Sequence, residues 1–247
     1  MTADSAAIRS GLEAGEFFLE YLPIVALATG RCIGCEALAR WRRSGEVVMP
    51  ADFIPVIEGT PISGLFTYWV VETVAREMGD FMRSQDDIVV GINIPPEILG
   101  RGGLAYAIDK AGLMDCTHKM IFEITERGLP DELGVQALNL AQEAGVRIAI
   151  DDTSLRGGNL VVLARISATD MVKIDKSVID RLSADSGWWP SLAALAASSR
   201  APIVAEGVET ATQATALRLA GVPLAQGFLF SRPLPADELR EFYLAHR

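Results

Sequence analysis

The chain has 247 residues, half of them hydrophobic, with 22 Lys and Arg against 32 Asp and Glu and a formal net charge of −10. That length suffices for one large core, so residues 1–247 are read as a single domain with 1–16 as an N-terminal helical lead-in. No concentrated basic stripe offsets the negative charge, which argues against a nucleic-acid polymer as ligand, and no apolar run approaches the roughly 20 residues that span a bilayer, so no membrane contact is expected.

Short apolar runs rich in β-branched residues alternate with longer amphipathic stretches. The first two runs, 17–27 and 32–39, are separated only by Ala28-Thr29-Gly30-Arg31. So short a turn joins antiparallel strands, because a parallel crossover needs about a dozen residues or more. Six further runs follow, at 88–93, 119–125, 147–151, 171–174, 202–205 and 224–230. Between them lie helix candidates such as 63–82, 131–144 and 210–220, whose apolar residues recur at spacings of three and four. The βα rhythm predicts an α/β fold. Eight strands suit a closed TIM-like (β/α)8 barrel variant with the first strand antiparallel to the rest better than an open doubly wound sheet.

In such a barrel, chemistry sits where strands end at the carboxyl edge. Near the ends of seven predicted strands stand Glu36, Asn93, Glu123, the pair Asp151-Asp152, Lys173, Glu206 and Gln226. Any one of these acids alone reads as a helix cap or turn former. Converging carboxylates would repel one another unless bound cations or raised pKa values relieved them, and the metal reading is preferred. The two histidines, His118 and His246, lie away from the predicted carboxyl edge, which argues against zinc. Oxygen ligands favour Mg²⁺ or Mn²⁺.

Other patterns carry less. Cys32-Ile-Gly-Cys35 has the spacing of half a zinc knuckle, but no second pair follows and the segment reads as a strand with buried small hydrophobes. The three cysteines, an odd count, and an opening without the basic and apolar regions of a signal peptide fit a cytoplasmic protein. Gly157-Gly158 matches neither nucleotide-binding glycine fingerprint, and Trp188-Trp189 lacks the interleaved basic residues of a stacking platform.

An ordered series of segments resembles the EAL-domain family of cyclic di-GMP phosphodiesterases over nearly the whole chain. Glu36-Ala-Leu-Ala-Arg40-Trp41 is similar to the namesake E-A-L-x-R segment. Tyr21-Leu-Pro-Ile precedes it, and Phe53-Ile-Pro55, Ile92-Asn93-Ile94, Phe122-Glu-Ile-Thr-Glu126, Asp151-Asp152, Val172-Lys-Ile-Asp175, Val204-Ala-Glu-Gly-Val-Glu209 and the segment from Gln226 to Pro233 follow in family order.

The resemblance implies a barrel with one antiparallel strand and hydrolysis of cyclic di-GMP to linear pGpG with two divalent ions, Ca²⁺ being inhibitory. By position it implies Glu36, Asn93, Glu123 and Asp151 as ligands of the first metal, with Asp151 and Asp152 serving the second. Lys173 is implied beside the attacking water, and Glu206 as the acid completing the network. Arg40 and Gln226 are implied as nucleotide-positioning groups, Glu209 as a substrate-side or supporting group, and Asp175 as support. Glu126 is implied to tether the loop after the paired aspartates and link it to a homodimer contact, and a sensory or cyclase domain is the kind of neighbour that the resemblance implies in a full-length protein.

The sequence also departs from the family. Residues 153–159 read Thr-Ser-Leu-Arg-Gly-Gly-Asn where the family reads Phe-Gly-x-Gly-x-Ser-Ser, the stretch from there to Lys173 is one residue longer, and Leu22 replaces a common Gln. Slow or regulated turnover with retained binding is therefore expected. The rival readings are a cyclic di-GMP receptor signalling through a partner, a magnesium-dependent barrel running enolate chemistry, and a purely protein-binding domain.

Overall fold

A computed structural model of the chain describes residues 4–124, 130–153, 169–184 and 189–247. Helix α1 (Ser5–Glu13) is N-capped by Asp4, whose carboxylate accepts from the Ala7 N–H, and it leads into β1 (Phe17–Ala26). The chain turns back through Gly30, at φ 76°, where a side chain would be strained. Strand β2 (Cys32–Arg43) then pairs antiparallel with β1 from Phe17↔Trp41 to Val25↔Cys32, as the short turn requires.

The hairpin runs further than the sequence indicates. β2 continues past residue 39 and folds onto a three-residue strand, β3 (Glu46–Val48), that the apolar-run criterion does not register. Three arginines occupy this extension, and two of them lay the guanidinium over a ring, Arg42 on Phe18 and Arg43 on Trp41. Charged residues with apolar stems can thus continue a strand where hydropathy predicts a loop.

Next come α2 (Pro50–Ile57), α3 (Pro61–Ser84), β4 (Val89–Asn93), α4 (Gly103–Lys110), β5 (Met120–Ile124), α5 (Glu132–Glu143), β6 (Arg147–Thr153) and β7 (Met171–Ile174). The described chain continues with α6 (Lys176–Ala184), α7 (Trp189–Ser198), β8 (Ile203–Ala205), α8 (Ala211–Leu219), β9 (Leu224–Ala225) and α9 (Ala236–Ala245). The last strand stops at Ala225 rather than running to 230. Gly227, at φ 147°, turns the chain, and the Phe230 N–H returns to the Gly227 carbonyl.

Strands β2, β4, β5, β6, β7, β8 and β9 neighbour one another in parallel, and β9 pairs antiparallel with β1, closing an eight-strand barrel that β3 merely flanks. Among the barrel strands the first alone runs against the rest, as predicted.

Inside the barrel, Ile24, Val89, Ile121, Ala149, Met171, Val204 and Leu224 form one apolar layer. Side chains two residues apart on a strand share a face, so the next layer toward the carboxyl edge follows from counting two onward. It consists of Gly91, Glu123, Asp151, Lys173, Glu206 and Gln226. Glu36 joins it because it pairs with Gly91, and Leu22 because it pairs with Glu36. A polar ring thus rests on an apolar floor.

Candidate active site: a carboxylate ring around a buried lysine

Lys173 is the centre of this ring and is fully buried. Its Nζ lies 2.6 Å from Glu123 Oε2, 2.8 Å from Glu206 Oε1, 2.9 Å from Glu36 Oε2 and 3.2 Å from Asp151 Oδ1. Glu36 also accepts from Asn93 Nδ2 at 2.9 Å and from Gln226 Nε2 at 2.7 Å, and the same Gln226 nitrogen reaches Glu206 at 2.9 Å.

On β4 the structure adds a detail to the strand-end reading. Asn93 is the register partner of Glu123, yet on β4 it lies two positions beyond Gly91, one layer above the ring, and reaches back to Glu36. The ring's own level on β4, opposite Glu36, belongs to Gly91. A Cβ there would overlap Glu123 Oε1, so the missing side chain is what lets the Glu123 carboxylate cross β4 toward Glu36. Sequence reasoning missed Gly91, although an isolated glycine inside an apolar strand is itself a signal of close approach.

The charges explain the pKa directions. Burial raises the carboxyl of Glu123, and the charges of Glu36 and Asp151 push it further, well above the usual range. Burial likewise takes Glu206 up to about 8, against the pull of Lys173. At Glu36 burial is outweighed by the Lys173 charge and by donors from Lys173, Asn93 and Gln226, so its pKa falls below the ordinary value. Burial opposes the Lys173 ammonium, yet Asp151, Glu123, Glu206 and Glu36 hold it well above an ordinary lysine. One ammonium among four carboxylates leaves the ring short of positive charge.

That shortfall fits a cation. Ligand atoms of Glu36, Glu123 and Asp151 all lie within 4.8 Å of one another. Glu123 Oε1 is buried without a hydrogen-bond partner among the described residues, a costly state for a carboxylate unless something positive approaches it. The donor set is oxygen throughout, which suits Mg²⁺ or Mn²⁺. Gln226 Oε1 is a second buried acceptor without a partner among the described residues.

The paired aspartates sit at an irregularity. β6 spends three steps between Ile150↔Val172 and Thr153↔Ile174 where β7 spends two. In a regular strand neighbouring side chains point to opposite faces, and a bulge lifts that restriction. Asp151 faces Lys173. The side chain of Asp152 and all of Glu126 lie outside the described residues.

Other predicted site residues sit apart from the ring. Asp175 accepts from the Ser177 N–H at the start of α6, a helix-capping role. Glu209 is half-exposed and pairs with Lys176 at 3.3 Å. Arg40 is buried on β2 and bonded to Glu20 at 2.8 Å. Beside the ring, Asn93 and Asp151 form one end of a mainly apolar cavity of about 530 Å³ that runs past Ala37 and Ala39 to Ile54 and Phe66.

A protein-family profile described as "EAL domain" matches residues 5–233. The probable cyclic di-GMP phosphodiesterase PdeB of Escherichia coli K12 is 30% identical over 243 residues, covering 97% of this chain and 47% of that protein. The cyclic di-GMP phosphodiesterase NbdA of Pseudomonas aeruginosa is 33% identical over 251 residues, covering 97% of this chain and 32% of that protein. The chain therefore spans half or less of the length of these relatives. Among solved structures, the PaMucR phosphodiesterase in complex with c-di-GMP matches with a TM-score of 0.84 at 31% identity, over 95% of this chain and 98% of that one.

Proposed function

The chain belongs to the EAL domain family, and from that premise we propose that it hydrolyses cyclic di-GMP to linear pGpG at the ring around Lys173, with two Mg²⁺ or Mn²⁺ ions and slow or regulated turnover. The observation that carries this reading is the convergence of Glu36, Glu123 and Asp151 within 4.8 Å, with one Glu123 oxygen unpartnered, at the carboxyl edge of an EAL barrel.

Glu36, Glu123, Asp151 and Asn93 would hold the first ion, and Asp151 with Asp152, freed by the bulge from strict alternation, the second. Divalent ions there would supply Lewis acidity, lowering the pKa of water and neutralising charge on the phosphoryl group. The chain's own residues do the rest. Lys173 keeps a fixed positive charge where a phosphodiester would build negative charge. Gln226 has a spare acceptor, Oε1, for an N–H or O–H of substrate or water, and Glu206 is an acid able to hold a proton near neutral pH. Arg40 is the cation nearest the ring along the hairpin, and Glu209 and Asp175 support the surrounding loops.

A receptor is the second reading, favoured by Leu22. It is the one large apolar side chain in the ring, opposite Glu36, and it offers a ligand no hydrogen bond. We further propose that the whole chain acts as one domain led in by residues 1–16, in the cytoplasm, where its three buried free cysteines would stay reduced. Homodimerisation, and a sensory or cyclase domain in a longer protein, complete the proposal.

The test is incubation with cyclic di-GMP and Mg²⁺ or Mn²⁺, separation of products, and calorimetry with Ca²⁺, which fills oxygen sites but supports phosphoryl chemistry poorly. Formation of pGpG supports the enzyme, and binding without product supports the receptor. Absence of both at high micromolar ligand overturns both readings.

A further inference from the structure

The β1–β2 hairpin carries one face of the ring past the barrel rim. Opposite residues of an antiparallel pair share a face. The register Leu22↔Glu36, Glu20↔Leu38 and Phe18↔Arg40 therefore sets Leu22, Glu20 and Phe18 beside Glu36, Leu38 and Arg40. Arg40 is the first cation on that face beyond the ring, and Leu38, two residues before it on the same face, lines the cavity that reaches Asn93 and Asp151.

Its guanidinium is already engaged. Nε donates to Glu20 Oε2 at 2.8 Å, and Nη1 donates to the Ala39 carbonyl at 2.9 Å. The two partners are unequally covered: the Arg40 side chain is 6% exposed and that of Glu20 29%. The carboxylate is thus the partner that water, and an incoming anion, meets first.

We propose that Glu20 is an internal competitor for Arg40, which an anionic ligand has to displace or share with. This rests on the cyclic dinucleotide reading above. A guanidinium binds a phosphodiester best through two parallel N–H groups. Here Nε is held by one anion and Nη1 by a carbonyl, so the Nε–Nη2 edge is closed to a second anion, which must use the remaining Nη N–H groups beside a like charge or take the place of Glu20. The displaced carboxylate already has access to solvent, so the exchange is reversible and sets affinity without touching the ring. Leu22 contributes no polar contact, which makes Arg40 a larger share of the ligand's grip on this face.

The test is Glu20→Gln, which keeps an amide oxygen to accept from Arg40 Nε and removes only the charge. With Ca²⁺ present, the Kd for cyclic di-GMP should fall about three- to tenfold. With Mg²⁺, KM should fall and kcat should stay. Glu46→Gln removes the same charge from exposed β3 without touching Arg40 and should leave Kd unchanged. If Glu20→Gln folds poorly, Glu20→Ser is read in the same way. An unchanged or raised Kd in Glu20→Gln overturns the proposal, a rise meaning that Glu20 positions Arg40. Equal tightening in Glu46→Gln also overturns it, since the effect would then be one of overall charge. A parent that binds no cyclic di-GMP overturns the function reading, and the proposal with it.

Discussion

Glu123 lays its carboxylate across Gly91, in the space that a Cβ at position 91 would occupy. The consequence reaches Glu36, because Gly91 is its partner in the β2–β4 register and Lys173 bridges Glu36 and Glu123. Gly91→Ala should therefore push Glu123 out of the ring rather than break the barrel, since the atom struck is the far end of a flexible side chain. Overpacking of this kind costs about 1–3 kcal/mol. Turnover and metal affinity should both fall while far-UV circular dichroism stays parental. Full activity in Gly91→Ala would show that Glu123 is not a ligand.

Lys173 neutralises the ring, so Lys173→Met should expose the repulsion it masks. Removing one partner of a buried ion cluster costs roughly 3–5 kcal/mol, or of the order of 10 °C in Tm for a domain of this size. The loss should be largest without metal. Mg²⁺ or Mn²⁺ should raise the variant's Tm more than the parent's, because a cation can occupy the same carboxylates, while kcat falls with the fixed positive charge gone. Equal melting of metal-free parent and variant would contradict the neutralising role.

Glu36 accepts from Asn93, Lys173 and Gln226 at once. Glu36→Ala leaves those three donors without their common acceptor and removes one proposed metal ligand. Calorimetry should report weaker metal binding, and product formation should drop by about 10²-fold or more. Unchanged pGpG formation by a well-folded variant would remove Glu36 from the site.

How far these relationships could be read beforehand depends on the kind of information each needs. The period-two rule, applied within one strand, identifies Glu123 or Lys173 as an inward residue near a strand end, and the four-residue turn at 28–31 sets the direction of β1. Levels across strands are another matter. Pairings such as Gly34↔Val89 and Asn93↔Glu123 join distant segments, and a shift of one residue would turn every side chain over. That is why the sequence places Asn93 near a strand end without showing that Gly91 is the residue of β4 at the level of the ring. Glu209 shows a different limit: it follows β8 in a family-like segment, yet Lys176 across the loop is its ion-pair partner.

Residues 154–159 lie outside the described residues, and the strand that feeds them, β6, ends at Thr153. The extra residue in β6 falls between Ile150 and Thr153, at the paired aspartates. Where that bulge directs Asp152 depends on how the chain leaves Thr153. The family pattern places glycines directly afterwards, and glycine enters left-handed conformations without a Cβ penalty. This chain has Ser154 and Arg156 at two of those places and its glycine pair later, at 157 and 158. Replacing 153–159 with Phe-Gly-Thr-Gly-Tyr-Ser-Ser should therefore raise turnover more than affinity. It should also lower the Mn²⁺ concentration needed for half-maximal rate, since a better-formed second site fills at lower metal by mass action. Product formation measured across a Mn²⁺ titration separates the two effects. A parent that already turns over fast at low Mg²⁺, or a replacement that leaves the rate and metal dependence unchanged, would show that the native segment is a competent cover of different sequence, as loops on fixed scaffolds often are.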